Sequence, residues 1–292
     1  MAVSKGKKPG PRKLLLYASH GVGKSTFASQ APNPVFLDIE EGTRDLDIAR
    51  WDEPITSYTQ FVGILHYFRT QEHDFQTLVI DTIDWLEKLI FKDIAQAAGV
   101  SSLADIDFGK GFPRAIPKWE TVLGTLDLIQ HERRMGIVLL GHARLERVAN
   151  PEGTTYDRYA PDLWTNSRNE GVGNMVQEWC SEVFFARKKK LVRTEGKGFN
   201  ERGIAMGSEE REILTSDSAF ASAKNRLSMP ATVPMAWSEY HKYILANRPS
   251  PVVSAPSANI AGVVIDGSSK PAPTPEQQAM TAEMEQRFSS VG

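Results

Sequence analysis

Short runs of mainly apolar residues recur along the first half of the chain, and polar or turn-forming residues bound each run. Four runs have the length of buried strands: Leu14 to Tyr17, Val35 to Ile39, Thr77 to Ile80 and Gly136 to Leu140. Segments between them show the spacing of amphipathic helices. Strands that alternate with helices in this way predict an α/β fold.

Helices are predicted after the first three strands. Ser57 and Gln60 have the spacing of a capping box, and the apolar residues behind them share one helical face. The helix that begins at Lys24 is expected to end near Gln30, because the prolines that follow cannot continue it. Further helices are predicted over 84–98, from Pro117 to about residue 129, and over 237–246.

In two stretches between these elements the apolar residues have neither helical nor strand spacing. Residues 99–117 combine glycines, aromatic residues and cations, and residues 143–172 interleave aromatic residues with arginines. This composition suits stacking on single-stranded bases. Acidic residues cancel the charge in 143–172, however, so a surface loop without such a role is an equal alternative there.

The C-terminal half contains one decidedly basic segment. A strand is predicted over 182–194, a hairpin over 202–215, and cations cluster between Arg187 and Arg202. These cations could follow a phosphate backbone. They could equally form the solvated face of an edge hairpin, where lysines oppose aggregation.

The composition divides the chain into four regions. Residues 1–12 form a basic arm that we expect to be disordered, and residues 13–247 form the folded core. Residues 248–273 are rich in Pro, Ser, Ala and Val, which predicts a disordered linker. Residues 274–292 predict a short helix with Met280, Met284 and Phe288 on one face, which could dock a partner, pack on its own domain or fray.

Charge and cysteine content exclude several classes of protein. The net charge of −2 gives no global basicity, so nucleic-acid binding would need a local patch. The lone Cys180 excludes an internal disulfide and a cysteine-built metal site, which suits a reducing cytoplasm. The apolar run after the basic arm is too short for a signal peptide or a membrane span. We therefore expect a cytoplasmic protein with no membrane partner.

Residues 18–26 carry the most specific chemical motif. They match the phosphate-loop pattern G-x-x-x-x-G-K-[ST] except at the first position, which is Ala18. Such a loop cradles a triphosphate with its backbone amides, while its lysine reaches the β- and γ-phosphates and its hydroxyl binds Mg²⁺. The predicted nucleotide-binding residues are Gly21, Val22, Gly23, Lys24, Ser25 and Thr26, with ATP and Mg²⁺ as cofactors.

Acidic residues follow two other predicted strands. Asp81 ends the strand that begins at Thr77, which is the Walker B pattern, and it is the predicted second ligand of Mg²⁺ beside Ser25. Glu40 and Glu41 follow the strand over 35–39. In an open α/β sheet, ligands bind at the carboxyl ends of the strands. All three carboxylates are therefore candidates for the nucleotide site.

With these motifs in order, residues 13–243 resemble the RecA/RadA class of P-loop ATPases, and more narrowly the core-only recombinases and single-strand annealing proteins of bacteriophages. The resemblance implies a RecA-like core, with a mostly parallel sheet flanked by helices and with C-terminal hairpins. It also implies that the strand over 136–140 separates the phosphate-loop strand from the Walker B strand.

The resemblance assigns roles to five catalytic residues. Glu40 would activate the attacking water, and Lys24 would bind the phosphates. His142 would sense the γ-phosphate at a position where this class often has Gln. Lys224 and Arg226 would reach the nucleotide on a neighbouring subunit, which implies a filament or ring.

The resemblance also implies a single-stranded-DNA-stimulated ATPase in recombination or replication, with 99–117 and 143–172 in the places of the DNA-binding loops. A nucleotide-dependent switch that recruits a single-strand-binding or replication protein through the C-terminal helix is the main alternative. A small-molecule kinase and a packaging or helicase-loading motor are further alternatives.

Overall fold

The computed structural model describes residue 6 and residues 10–106, 110–150, 153–166, 170–195 and 202–247. The predicted linker over 248–273 and the predicted helix over 274–292 lie outside the described residues, as does most of the basic arm. Four residues of that arm are described, and two of them, Pro11 and Arg12, form side-chain hydrogen bonds or ion pairs with the core. The Pro11 carbonyl accepts a hydrogen bond of 2.9 Å from Gln130, and Arg12 forms an ion pair with the fully buried Glu182.

One mixed sheet runs through the described residues. Its strands are β1 (Lys13–Ala18), β2 (Pro34–Asp38), β3 (Ala49–Arg50), β4 (Thr77–Asp81), β5 (Gly136–Val148), β6 (Tyr156–Pro161), β7 (Glu182–Glu195), β8 (Arg202–Leu214) and β9 (Thr232–Pro234). Their order is β3-β2-β4-β5-β1-β7-β8-β9, and β6 pairs with β5. The pairings from β3 to β7 are parallel, whereas β6, β8 and β9 pair antiparallel with their neighbours.

Helices lie on both faces of the sheet. They are α1 (Lys24–Ala28), α2 (Tyr58–Thr70), α3 (Ile83–Ala97), α4 (Ala115–Arg133), α5 (Val172–Trp179) and α6 (Trp237–Ala246). Ser57 caps α2 as predicted, because its side chain accepts a hydrogen bond from the Gln60 amide. Gln60 itself accepts from the Thr56 amide, one residue before the cap. The sequence predictions missed α5 and β3.

The two faces of the central strands belong to two separate cores. Leu15 and Tyr17 of β1 pack in the core that α2, α3 and α4 cover, whereas Leu14 and Leu16 pack in the core with α1 and α6. Parallel strands that are buried on both faces need apolar side chains at successive positions. This requirement explains the uninterrupted apolar runs of the sequence.

The sheet order confirms the predicted architecture. β5 pairs with β1 on one side and with β4 on the other, so the strand over 136–140 separates the phosphate-loop strand from the Walker B strand. The fold is the expected RecA-like α/β core.

Two sequence predictions about irregular structure were wrong. Much of 143–172 is regular, because β5 continues to Val148 and forms an antiparallel hairpin with β6. The predicted hairpin over 202–215 is a single strand, β8, whose partner is β7. In both cases charged residues interrupt the apolar pattern of a strand, at Arg144, Glu146 and Arg147 in β5 and at residues 209–212 in β8. On an exposed hairpin these charges need only to face solvent or each other.

A buried glutamate connects α3 to the chain after β6. Glu87 is 6% exposed, and one of its carboxyl oxygens accepts a hydrogen bond of 2.9 Å from the Trp164 amide. The other oxygen has no hydrogen-bond partner among the described residues. Burial raises the pKa of Glu87 to about 8. This carboxyl group is therefore mostly protonated at neutral pH.

We predict that Glu87 makes folding stability fall as the pH rises. An acid with a raised pKa in the folded chain binds more protons when folded, so the free energy of unfolding decreases between its ordinary pKa of 4.5 and about 8. Relative to Glu87→Gln, the wild type should lose roughly 3 to 4 kcal/mol between pH 5 and pH 9. Urea denaturation at several pH values measures this difference.

The matched control is Glu120→Gln, because Glu120 is an exposed glutamate on α4. This variant should keep the pH dependence of the wild type. If Glu87→Gln also keeps it, Glu87 is ionised in the folded chain and the prediction fails.

Candidate nucleotide-binding site

The carboxyl ends of β1 and β4 lie on either side of the middle of β5. In the parallel register Ala18 of β1 lies beside His142 of β5, and Asp81 of β4 lies beside Leu140 of β5. The loop after β1 therefore faces both the end of β4 and the middle of β5. Through this register the fold places Lys24, Asp81 and His142 around one site, as predicted.

The loop between β1 and α1 has the backbone that a phosphate loop requires. Gly21 and Gly23 have φ angles of 71° and 100°, a region that residues with a side chain rarely adopt. Gly23 is also the residue that precedes the first turn of α1. The sequence therefore needs glycine at both positions to turn the chain from strand into helix.

Lys24 is buried among acidic groups. The residue is only 7% exposed. Desolvation lowers the pKa of its ammonium group, whereas the negative charges of Asp81, Glu40 and Asp84 raise it. A buried ammonium group is tolerable when carboxylates compensate its charge. The site thus holds a cation at the place where phosphate oxygens would bind.

Ser25 and Asp81 offer oxygen ligands side by side. The Ser25 hydroxyl donates a hydrogen bond of 2.5 Å to Asp81 Oδ2. Burial raises the pKa of Asp81 to about 6, against the lowering effect of this hydrogen bond. Mg²⁺ prefers hydroxyl and carboxylate oxygens, so the donor set fits the predicted metal. The pair would hold the ion at the β- and γ-phosphates.

Glu40 lies just beyond the end of β2 and faces the same site. Its Oε2 accepts a hydrogen bond of 3.3 Å from the Thr82 hydroxyl, and its Oε1 lies 3.8 Å from His142 Nε2. Its side chain is 26% exposed. The carboxylate is therefore held at the edge of the site with access to solvent, which is what activation of a water molecule requires.

His142 is fixed by an aspartate of α3. Asp84 accepts from the His142 amide at 3.0 Å and lies 2.9 Å from its Nδ1. Burial alone would raise the pKa of Asp84, but its interactions with His142 outweigh this effect and lower it. The ring also stacks on His20 of the phosphate loop, with 3.9 Å between centroids. Neither Asp84 nor His20 was predicted, because only the fold brings them to β5.

Arg211 is a third site residue that the sequence analysis did not predict. A Cβ atom placed on Gly23 would lie 2.8 Å from Arg211 Nη1, so the guanidinium of β8 lies against the phosphate loop. Arg211 is exposed. It supplies a cation of the same chain at the entrance to the nucleotide site. Sequence reasoning could not assign Arg211 to the site, because this residue lies far from the phosphate loop along the chain and outside any motif.

Lys224 is engaged within its own chain. Its ammonium group donates hydrogen bonds to the backbone carbonyls of Gln177, Glu178 and Cys180 at 3.1, 2.8 and 2.7 Å. It therefore caps the carboxyl end of α5, where a cation is favourable. Arg226, two residues further on, is exposed. The structure does not bring either cation to Lys24 of the same chain.

The first cations of the basic segment lie on β7, and acidic residues of the neighbouring strand β8 balance their charge. Cations of β7 form ion pairs with glutamates of β8: Arg187 with Glu212 at 2.7 Å, Lys188 with Glu209 at 3.9 Å, and Lys189 with Glu210 at 3.3 Å. These cross-strand pairs are consistent with the edge-hairpin interpretation of this segment.

Among the described helices, none combines the length and the apolar character that crossing a bilayer requires.

A search of curated proteins found no match. Among solved structures the chain is similar to the crystal structure of the RadB recombinase, at 14% identity and a TM-score of 0.40, over 70% of this chain and 89% of that one. A family model described as an AAA domain matches residues 10–227. This match spans the phosphate loop, Glu40, Asp81 and His142, and the chain therefore belongs to the AAA domain family of P-loop ATPases.

Proposed function

We propose that this protein hydrolyses ATP while it acts on single-stranded DNA in recombination or replication, in the manner of the annealing and strand-exchange ATPases that bacteriophages encode. The observation that carries the ATPase part is the meeting of four groups at one sheet edge. Lys24 and the Ser25–Asp81 pair face the phosphates, and Glu40 stands beside them.

The chemistry follows from these positions. Lys24 compensates charge on the β- and γ-phosphates, and Mg²⁺ supplies further charge compensation when Ser25 and Asp81 hold it. Glu40 orients a water molecule and accepts its proton as the water attacks the γ-phosphorus, and the bond to the β–γ bridging oxygen breaks. Arg211 would add a cation at the phosphates from the same chain.

The state of the γ-phosphate would reach the rest of the molecule through α3. His142 faces Glu40 with Nε2 and Asp84 with Nδ1, so a change at the phosphate acts directly on α3. One turn further along α3, Glu87 binds the Trp164 amide, and the Trp164 ring lies parallel to Phe112 with centroids 6.1 Å apart. These two aromatic residues belong to the two stretches proposed as DNA-binding loops.

The outer face of α3 supports a role in DNA binding. Trp85 is 38% exposed, and the Lys88 ammonium lies 4.2 Å from the centroid of its indole ring. An exposed aromatic ring beside a cation is suited to stack on a base and to bind the adjacent phosphate. We therefore propose α3, together with 99–117 and 143–172, as the surface for single-stranded DNA. The hairpin of β7 and β8 is a less favoured surface because Arg187, Lys188 and Lys189 are paired with glutamates.

We further propose that subunits complete one another's sites. Arg226 would reach the nucleotide on a neighbouring subunit in a filament or ring. Lys224, which caps α5, would fix the segment that presents it. Contacts of this kind are head-to-tail, because the surface with Arg226 differs from the surface with the phosphate loop.

Glu40→Gln and Lys24→Ala test the ATPase site. Glu40→Gln should retain ATP binding and lower the hydrolysis rate by at least about 100-fold, because the amide cannot accept the proton. Lys24→Ala should lose ATP binding as well as hydrolysis, because the phosphates lose their buried cation. Steady-state phosphate release and equilibrium binding of a fluorescent ATP analogue measure the two effects. The neighbouring Glu41→Gln is the matched control, and hydrolysis by Glu40→Gln at the wild-type rate would contradict the assignment.

Trp85→Ala tests the DNA surface. Loss of one stacked base should weaken binding of a fluorescent oligothymidylate by about 5- to 100-fold. Lys88→Ala should weaken it less and should reduce the dependence on salt. Tyr67→Ala is the matched control, because Tyr67 is an equally exposed aromatic residue on α2. Unchanged affinity in Trp85→Ala would exclude α3 as the surface.

The wild-type hydrolysis rate should also rise when single-stranded DNA is added. A rate that does not change with DNA would favour the nucleotide-dependent switch.

A mixture of two inactive variants tests the shared site. Lys24→Ala and Arg226→Ala should each hydrolyse ATP slowly when alone. In an equal mixture about a quarter of the sites combine an intact phosphate loop with an intact arginine from the neighbour, so about a quarter of the wild-type rate should return. An Arg226→Ala protein that is fully active alone would contradict a contribution in trans.

A further inference from the structure

We propose that His20, Glu40 and His142 form a binding site for a transition-metal ion such as Zn²⁺, distinct from the magnesium ligands Ser25 and Asp81. Each of the three residues offers one ligand atom, and these atoms all lie within 4.8 Å of one another. Two imidazole nitrogens and one carboxylate oxygen are ligands that Zn²⁺ commonly has in proteins. Mg²⁺ prefers oxygen ligands alone, so the two sites differ in the ions they select.

His142 is already oriented as a metal ligand. Its Nδ1 lies 2.9 Å from Asp84 Oδ2, and its amide donates to the other oxygen of the same carboxylate. A carboxylate can only accept, so Nδ1 carries a proton, and the neutral imidazole then has its lone pair on Nε2. Nε2 lies 3.8 Å from Glu40 Oε1. Histidines that bind zinc commonly donate their other ring nitrogen to a carboxylate in this way, which fixes the orientation of the ring.

The spacing is close to what a metal requires. Bonds of about 2.0–2.1 Å in a tetrahedral site place neighbouring ligand atoms about 3.3 Å apart. The separation of 3.8 Å between His142 and Glu40 must therefore close by about half an ångström. His20 is exposed and Glu40 is partly exposed, so these two side chains can adjust while His142 stays fixed. Three protein ligands leave the fourth position for water.

Occupancy would have a regulatory effect, and this consequence rests on the proposed function. A metal ion bound to Glu40 uses the carboxylate lone pairs that would accept the proton of the attacking water. It also holds His142, whose position would report the γ-phosphate. Zn²⁺ would thus inhibit hydrolysis, and its removal would restore activity.

Co²⁺ binding to the full chain without nucleotide tests the site independently of hydrolysis. Co²⁺ in a site of low coordination number absorbs visible light, and Zn²⁺ should displace it. We expect one ion per chain with visible absorption, at least about 10-fold weaker binding in His20→Ala and in Glu40→Gln, and unchanged binding in His66→Ala. His66 is an exposed histidine of α2 and serves as the matched control. His20 is itself exposed, so its replacement tests the site without removing a buried group.

Equal Co²⁺ binding by wild type, His20→Ala and Glu40→Gln would overturn the proposal, as would the absence of visible absorption at saturating Co²⁺. For the regulatory consequence, Zn²⁺ at a saturating concentration should inhibit wild-type hydrolysis and a zinc-selective chelator should reverse this. Binding without inhibition would retain the metal site and remove its regulatory role. Absence of any hydrolysis with Mg²⁺ alone would instead count against the proposed function and leave the binding test intact.

Discussion

The burial of the Lys24 ammonium group is the constraint on which the rest of the site depends. A cation that is 7% exposed needs nearby negative charge, and Asp81, Glu40 and Asp84 supply it. These carboxylates come from the end of β4, the end of β2 and the start of α3. Only a sheet in which β4, β5 and β1 are adjacent brings them together. The strand order is therefore an electrostatic requirement of the site as well as a feature of packing.

The acidic groups around Lys24 outnumber it, and their environments differ. Asp81 is buried and its pKa is raised, whereas the pKa of Asp84 is lowered through its interactions with His142. A raised pKa marks a carboxylate whose negative charge lacks sufficient compensation. A bound divalent cation would provide that compensation at Asp81. The nucleotide site thus carries an electrostatic preference for a metal ion beside its lysine.

Helix α3 links this electrostatic cluster to distant parts of the molecule. It begins directly after the Walker B strand, so its first turn lies at the site and provides Asp84. Its buried face continues to Glu87 and the Trp164 amide, and its exposed face carries Trp85 and Lys88. A helix is stiff over this distance, because every turn is held by backbone hydrogen bonds. A small shift of its first turn would therefore displace the residues on both of its faces.

The sequence by itself determined the α/β fold and the order of the main elements, and it predicts the groups that would bind phosphate and Mg²⁺. These features depend on local patterns: buried parallel strands require apolar runs, the phosphate loop requires Gly21 and Gly23, and a strand end places Asp81. Glu40 and His142 were found through the resemblance that the same motifs carry, and the fold brings them within 3.8 Å of each other.

Only the tertiary structure decided which charged residues are free and which are paired. Lys224 caps α5, Arg187 to Lys189 of β7 face glutamates of β8, and Arg211 lies against Gly23. Each of these outcomes depends on a partner far away along the chain. Composition and the periodicity of apolar residues reflect only residues that are close in sequence. A charge that looks available in sequence is therefore assigned its role by the fold.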